Sequence, residues 1–248
     1  ACSPRLASLM ADYADRSEDT WLNTPRQMCV ERERAAIGSW YEAFPRSWGA
    51  PGKHGTLRDM ADSTDYIASM GFDVLYLPPI HPIGKSFRKG RNNSVQAQPD
   101  DVGSPWGIGS PEGGHFDIHP DLGTLADFEF LQKKVSEQGM ELALDFALQC
   151  SPDHPWVIDH PEWFRHRVDG TIRYAENPPK KYQDIYPLDF ESNDWQGLWH
   201  AVRAIVEAWI TRGVRIFRVD NPHTKPFDFW EWLLADVRRT HPDVLFLA

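Results

Sequence analysis

Short apolar runs alternate with longer stretches of helical periodicity along most of this 248-residue chain. Runs of four to eight apolar residues bounded by Pro, Gly or Asp are typical of buried strands, and apolar positions three and four apart predict amphipathic helices. The predicted elements are strands at 39–44, 73–77, 141–146, 214–219 and 244–248, and helices at 57–70, 124–138, 194–211 and 226–240. Strand and helix therefore alternate, which indicates parallel strands joined by crossover helices.

Two α/β architectures satisfy this alternation, a doubly wound sheet and a (β/α)8 barrel. No glycine-rich phosphate fingerprint follows the first strand, as it does in a doubly wound dinucleotide fold. The long predicted loops, 80–122 and 147–193, follow the carboxyl ends of strands, where barrel enzymes build their sites. The pattern therefore favours a (β/α)8 TIM barrel, of which the chain holds about the first half, four β/α units plus strand five.

The expected domain organisation has two parts. Residues 1–35 carry charged and apolar positions at roughly helical spacing, broken by Pro25, and predict one or two helices of a preceding region. Residues 36–248 are expected to be the N-terminal part of a catalytic barrel, with 147–193 as an inserted loop subdomain. Because half a barrel would leave an open sheet edge, we expect the chain to be part of a longer gene product.

Composition narrows the classes of partner. The formal net charge of −10 argues against nucleic acid as a partner, although a local basic pocket could still bind a small anionic substrate. No apolar run approaches the length of a membrane span. Cys2, Cys29 and Cys150 have neither metal-ligand nor CxxC spacing, which favours reduced thiols in the cytoplasm. The 11 Trp residues fit either core packing or stacking against sugars.

The candidate chemistry lies at the ends of the third and fourth strands. Asp145 closes the third strand, and Arg218 and Asp220 close the fourth. Arg218 and Asp220 are two apart and therefore face the same side as Ile216, while Phe217 and Val219 are expected to face the helices. An Arg beside a carboxylate favours its ionised form, which a glycosyl nucleophile needs. A structural Arg–Asp ion pair explains the same pattern equally well.

Long motifs identify the family that this chain resembles. They are WYEAFPRS, PPIHPIG, RKGRNN, GSPEGGH, DFALQCSPDHPW, ENPPKKYQDIYP and FRVDNPHTKP. From about residue 31 to 248 the chain resembles glycoside hydrolase family 13, the α-amylase family, and within it the α-1,4-glucan:maltose-1-phosphate maltosyltransferases. Gln149 and Cys150 stand where many amylases have the Asn-His pair that helps to bind calcium and sugar. A calcium site is therefore not expected.

The resemblance implies roles for individual residues. Asp220 would be the nucleophile, and Arg218 would keep it ionised and orient it. Asp145 would bind sugar hydroxyls near the reacting ring or hold the hydrogen-bond network of the site. The residues implied to contact phosphate are Asn177, Lys180, Tyr182 and Asn221. Those implied to bind the maltosyl part of the substrate are Lys89, Gln149 and Asp184, and Asn93 is implied to bind substrate. Taken alone, Lys180 and Lys181 would be interpreted as a solvated pair of loop charges.

The resemblance also implies a reaction, the transfer of maltosyl units from α-maltose 1-phosphate to the non-reducing end of an α-1,4-glucan by a retaining double displacement. It implies no metal or organic cofactor, and a homodimer for the whole enzyme. The family's acid/base Glu would come directly after Ala248, so we expect this chain alone to be inactive. The alternatives are an amylase-type α-glucan hydrolase and a non-catalytic glucan-binding fragment.

Four histidines are possible metal ligands by residue type alone. They are His81, His115, His119 and His154. Their spacing relative to carboxylates is not that of a metal site, which favours loop packing or hydrogen bonding to sugar.

Overall fold

The computed structural model describes residues 3–20, 24, 26, 28 and 30–248, and the chain divides into two compact units between Glu31 and Arg32. The first unit contains helix α1, Pro4–Asp12, whose N-terminus is capped by the Ser3 hydroxyl. The predicted break at Pro25, and Cys2 and Cys29, lie outside the described residues.

The second unit is built on a parallel sheet of five strands. The strands in chain order are β1 Trp40–Glu42, β2 Val74–Leu77, β3 Glu141–Phe146, β4 Gln149–Cys150, β5 Ala175–Asn177, β6 Lys180–Tyr182, β7 Tyr186–Pro187, β8 Ile216–Val219 and β9 Leu245–Leu247. The sheet order is β1-β2-β3-β8-β9, and every neighbouring pair is parallel. Each strand therefore lies beside its predecessor in the sheet, without the reversal of order that defines a doubly wound fold.

Helices connect these strands. They are α2 Glu33–Ala36, α3 Leu57–Ala61, α4 Thr64–Ser69, α5 Leu125–Glu137, α6 Pro155–Asp159, α7 Trp195–Thr211 and α8 Phe227–Thr240. The prediction of one helix over 57–70 is wrong, because α3 and α4 are separate. Ser63 donates its hydroxyl to the carbonyl of Asp59 and its amide to the carbonyl of Met60. Such local bonds compete with regular helical hydrogen bonds.

The region 147–193 has more regular structure than the long loop that was predicted. Strands β4 and β7 pair antiparallel, and β5 and β6 form a hairpin in which Asn177 lies opposite Lys180. These ladders are two or three residues long, which is too short for a period of alternating hydrophobicity to be recognised in the sequence.

The two faces of the sheet pack against different groups. Ile216 belongs to a small cluster with Tyr76 and other residues of the inner face, whereas Phe217 and Val219 belong to the large core shared with the helices. The predicted orientation of this strand is therefore confirmed. Among the residues described, no helix combines the length and apolarity that crossing a bilayer requires.

Candidate active site

The carboxyl ends of β3 and β8 bring two acidic side chains to one arginine. Asp145 and Arg218 are register partners on adjacent parallel strands, and Asp220 follows directly after β8. Arg218 Nη1 donates to Asp145 Oδ2 at 3.0 Å and to Asp220 Oδ1 at 2.7 Å. A single guanidinium nitrogen therefore bridges the two carboxylates, since both strands end at the same edge of the sheet.

Asp145 is also bound from the neighbouring strand. The Tyr76 hydroxyl on β2 donates to Asp145 Oδ2 at 2.5 Å, and Asp145 Oδ1 is buried without a hydrogen-bond partner. Burial raises the pKa of Asp145 to about 6, although the bonds from Tyr76 and Arg218 act to lower it. Tyr76 is not among the site residues that the sequence motifs predict. Its signal was a hydroxyl at an inward-facing position of an otherwise apolar strand.

The turn after β8 fixes Asp220. The Asp220 amide donates to the carbonyl of Phe146 at 3.1 Å, and Asn221 Nδ2 donates to Asp220 Oδ2 at 3.0 Å. Asn221 has a φ of 46°, in the left-handed region that Asn tolerates better than most residues. Because Arg218 bonds one carboxylate oxygen and Asn221 the other, Asp220 is held in one orientation at the edge of an open cavity.

That cavity has a volume of about 660 Å3. The sequence-predicted site residues that line it are Lys89, Asn93, Gln149, Asn177, Tyr182, Asp184, Asp220 and Asn221. The lining residues that the sequence analysis missed are Ser104, Trp106, Ala175, Glu176, Ile185, His223 and Thr224.

Three predicted site residues are not part of this lining. Asp145 lies below the cavity edge, and Arg218 joins it to Asp220. Lys180 is exposed on β6, opposite Asn177 in the hairpin. The structure thus brings most of the predicted residues around one space and leaves the Lys180 side chain outside its wall.

Hydrogen bonds between distant segments build the cavity wall. Lys89 is buried, and its Nζ donates to the carbonyl of Lys181 at 3.2 Å. Gln149 Nε2 donates to the carbonyl of Trp106 at 3.1 Å. These bonds join the loop at 80–122 to the hairpin and to β4, so the wall depends on contacts that no local sequence pattern predicts.

Two polar atoms in the cavity wall are buried without a protein partner. They are Trp106 Nε1, a donor, and Asp184 Oδ1, an acceptor when ionised. Burial raises the pKa of Asp184, and the charge of Lys89 opposes that rise. An unsatisfied buried group costs about 1–3 kcal/mol, and a sugar hydroxyl can both donate and accept. The wall is therefore suited to a ligand that carries hydroxyl groups.

A second buried polar cluster lies elsewhere in the fold. It consists of His115, Cys150 and His154, whose potential ligand atoms all lie within 4.8 Å of one another. The Trp156 amide donates to His154 Nδ1 at 3.0 Å, and His154 Nε2 and His115 Nδ1 are 3.1 Å apart. His115 Nε2 lies 3.0 Å from the carbonyl of Ala147.

One tautomer of each ring satisfies all of these bonds, with a proton on Nε2 of both His115 and His154. Burial lowers the pKa of His154 to about 3 and that of His115 well below its ordinary value. Both rings are therefore neutral, and a metal ion would have to displace bonds that are already made. In the described structure the imidazole nitrogens are hydrogen-bonded within the protein, and the cluster forms a buried hydrogen-bond relay.

Comparison with known proteins identifies what the chain resembles. Residues 13–201 match the family described as the catalytic domain of alpha amylase. The alpha-1,4-glucan:maltose-1-phosphate maltosyltransferase 2 of Streptomyces coelicolor is 59% identical over all of this chain and 37% of its own length. The enzyme of that name from Pseudomonas aeruginosa is 60% identical over 88% of this chain and 33% of its own. This chain thus spans about a third of the length of these relatives.

A solved structure gives the same fold. An alpha-amylase from Lactobacillus plantarum superposes with a TM-score of 0.71 and 30% identity, over 84% of this chain and 44% of that one. Together with the parallel sheet in sequential order, this match identifies the fold as part of a (β/α)8 barrel.

Proposed function

Because the chain belongs to the alpha-amylase catalytic-domain family, we propose that it carries the nucleophile and donor site of a maltosyltransferase. The donor is α-maltose 1-phosphate, the acceptor is the non-reducing end of an α-1,4-glucan, and phosphate is released. The observation that carries the proposal is Asp220, fixed by Arg218 and Asn221 at the edge of a polar cavity. A relative that is named for this activity matches this chain along its whole length, which supports the proposal.

The proposed reaction is a retaining double displacement. An Asp220 carboxylate oxygen attacks C1 of the donor, the bond from C1 to the phosphate oxygen breaks, and a β-maltosyl ester forms. The acid/base Glu that the family resemblance implies would give its proton to the departing phosphate. The 4-hydroxyl of the glucan then attacks C1 and passes its proton to the carboxylate of that Glu, and the bond from C1 to Asp220 breaks.

The proposed phosphate site lies between the β5–β6 hairpin and the turn after β8. Asn177, Tyr182 and Asn221 line the cavity there, and each side chain can donate a hydrogen bond to a phosphate oxygen. Lys180 pairs with Asn177 across the hairpin, and we assign it the positive charge that would stabilise the departing dianion. This assignment requires the Lys180 side chain to turn towards the cavity when substrate binds.

The proposed maltosyl site uses other residues of the same cavity. Lys89, Gln149 and Asp184 line it, and the family resemblance implies that they bind the maltosyl unit. Asn93 also lines the cavity and is proposed to bind substrate. Trp106 joins them, since its indole N–H has no protein partner. A sugar hydroxyl that accepts from Trp106 Nε1 or donates to Asp184 Oδ1 would satisfy atoms that the free protein leaves unpaired.

We also propose a finer division of the chain, which rests on the sequence pattern and the family resemblance. We assign residues 36–248 to the N-terminal part of the barrel, as four β/α units and strand five, with 147–193 as its inserted subdomain. Residues 1–35 would belong to a preceding region. We further propose a cytoplasmic enzyme, consistent with the free thiol of Cys150, that acts as a homodimer and needs no cofactor.

The test uses the complete gene product with α-maltose 1-phosphate and a short α-1,4-glucan. Phosphate release with lengthening of the glucan by two glucose units is expected. A fluorinated maltosyl donor should leave a covalent adduct on Asp220 that mass spectrometry can locate. Asp228→Asn, at an exposed position in the first turn of α8, is the matched control. An enzyme that only releases reducing sugar from starch would be a hydrolase, and a protein that only binds glucan would be non-catalytic.

A further inference from the structure

Lys225 follows the nucleophile by five residues and is half-buried. Its Nζ donates to the backbone carbonyl of Asn221 at 3.2 Å and lies 3.5 Å from the carbonyl of Asp220. Burying an ammonium group is unfavourable unless it is hydrogen-bonded, and here its partners are the two carbonyls of the turn that carries the nucleophile.

That turn needs to be held. Asn221 has a positive φ, a conformation that persists in a residue other than glycine only where its surroundings enforce it. Thr224 Oγ1 donates to the carbonyl of Asn221 at 2.8 Å, and Trp230 Nε1 donates to that of Pro222 at 2.9 Å. Lys225 adds a charged donor to this set and reaches the carbonyl of Asp220 itself.

We propose that Lys225 is a positioning residue whose ammonium holds the left-handed turn at Asn221 and so keeps the Asp220 carboxylate between Arg218 and Asn221. This inference depends on the proposed function, since it takes Asp220 to be the nucleophile. Lys225 is not among the residues that line the cavity, so its effect passes through the backbone of the turn. It should therefore change the rate of the chemical step more than the binding of substrate.

Because Lys225 is charged, the proposed role predicts a particular dependence of activity on pH. Burial lowers the pKa of Lys225 to about 8, while the carboxylate of Asp220, which faces it from the end of β8, opposes that lowering. As the pH rises through this value the ammonium loses its proton and its charge, and the bonds to the two carbonyls weaken. An arginine in its place would stay charged throughout this range.

The experiment compares wild type, Lys225→Met and Lys225→Arg in the complete gene product, with α-maltose 1-phosphate as donor. Lys225→Met should lower kcat by about 100-fold, with KM changed by less than about threefold. Lys225→Arg should recover most of the activity and move the loss of activity on the alkaline side to higher pH. Lys133→Met, which removes an exposed lysine from α5, is the control and should leave kcat unchanged.

Three results would overturn the inference. They are an unchanged kcat in Lys225→Met, an alkaline limb that Lys225→Arg does not move, and a loss of folded protein with normal kcat per folded molecule. If the wild type hydrolyses glucan but ignores maltose 1-phosphate, the proposed function fails, and the same comparison on hydrolysis still tests Lys225. A crystal structure of Lys225→Met that kept Asn221 left-handed and both bonds to Asp220 would overturn it whatever the substrate.

Discussion

Two polar clusters in this fold, one buried and one partly buried, differ in how completely their titratable groups are hydrogen-bonded. In the cluster of His115, Cys150 and His154, every imidazole nitrogen has a partner. In the group around Asp220, Asp145 Oδ1 has none. The cavity wall above that group contains two more unpartnered atoms, on Trp106 and Asp184.

The difference separates a structural cluster from a site for chemistry. A saturated network gains nothing from a ligand, whereas unpaired buried atoms are costly until a ligand satisfies them. Residue types alone would mislead here, since two histidines and a cysteine are familiar metal ligands and the Asp220 group could be a simple ion pair. Hydrogen-bond saturation therefore distinguishes these two clusters better than residue type does.

The largest predicted effect concerns the group around Asp220, in which the hydrogen bonding is incomplete. Asp220→Asn keeps the shape of the side chain but removes the anionic nucleophile, so kcat in the complete gene product should fall by at least about 10³-fold. Steady-state phosphate release measures it, and thermal unfolding should show a folded protein. A variant that kept a tenth of the wild-type rate would mean that Asp220 is only a partner of the Arg218 ion pair.

The next effect concerns Asp145 and pH. Because burial raises the pKa of Asp145 to about 6 from an ordinary value of 3.8, the folded state binds this proton more tightly than the unfolded state. The protonated Asp145 carboxyl therefore adds to the free energy of unfolding below pH 3.8, and this stabilisation is lost as the pH rises through 6. The loss is on the order of 3 kcal/mol at about 1.36 kcal/mol per pKa unit.

Asp145→Asn should remove this dependence. The free energy of unfolding from urea titrations on either side of pH 6 would show a smaller decline with rising pH in the variant than in the wild type. Asp228→Asn should leave the wild-type slope in place. If the free energy of unfolding declined equally with pH in wild type and Asp145→Asn, the pKa of Asp145 would not be raised.

The smallest effects come from a matched pair of tryptophans, one in each region. Trp209 Nε1 donates to the carbonyl of His115 at 2.8 Å, whereas Trp106 Nε1 has no protein partner. Trp209→Phe should therefore lower the free energy of unfolding by about 1–3 kcal/mol and leave KM unchanged. Trp106→Phe should raise KM for the donor by about fivefold, which is close to 1 kcal/mol, with little change in stability.

Urea titrations and donor saturation curves on both variants decide the comparison. If Trp106→Phe destabilised the protein as much as Trp209→Phe does, its indole N–H would be structural. The cavity wall would then be as saturated as the histidine relay, and the distinction between the two regions would disappear.

Local sequence patterns were enough to predict the strands of the sheet, the faces on which Ile216 and Phe217 lie, and the acidic and basic groups at the strand ends. A period of two is local and survives any arrangement of the loops, so Ile216 and Phe217 could be assigned to opposite faces before the structure was known. The same logic placed Asp145 and Arg218 at the sheet edge where they now bond.

The way the loops converge on that edge depends on the three-dimensional path of the chain. The bond from Lys89 to Lys181 spans 92 residues, and the bond from Tyr76 to Asp145 spans 69. Neither follows from a local period, because each depends on the path of the intervening chain. The histidine relay, the unpaired indole of Trp106 and the ammonium of Lys225 under its turn were hidden for the same reason. Hydrogen-bond saturation is a property of three-dimensional neighbours, and it cannot be assigned before those neighbours are known.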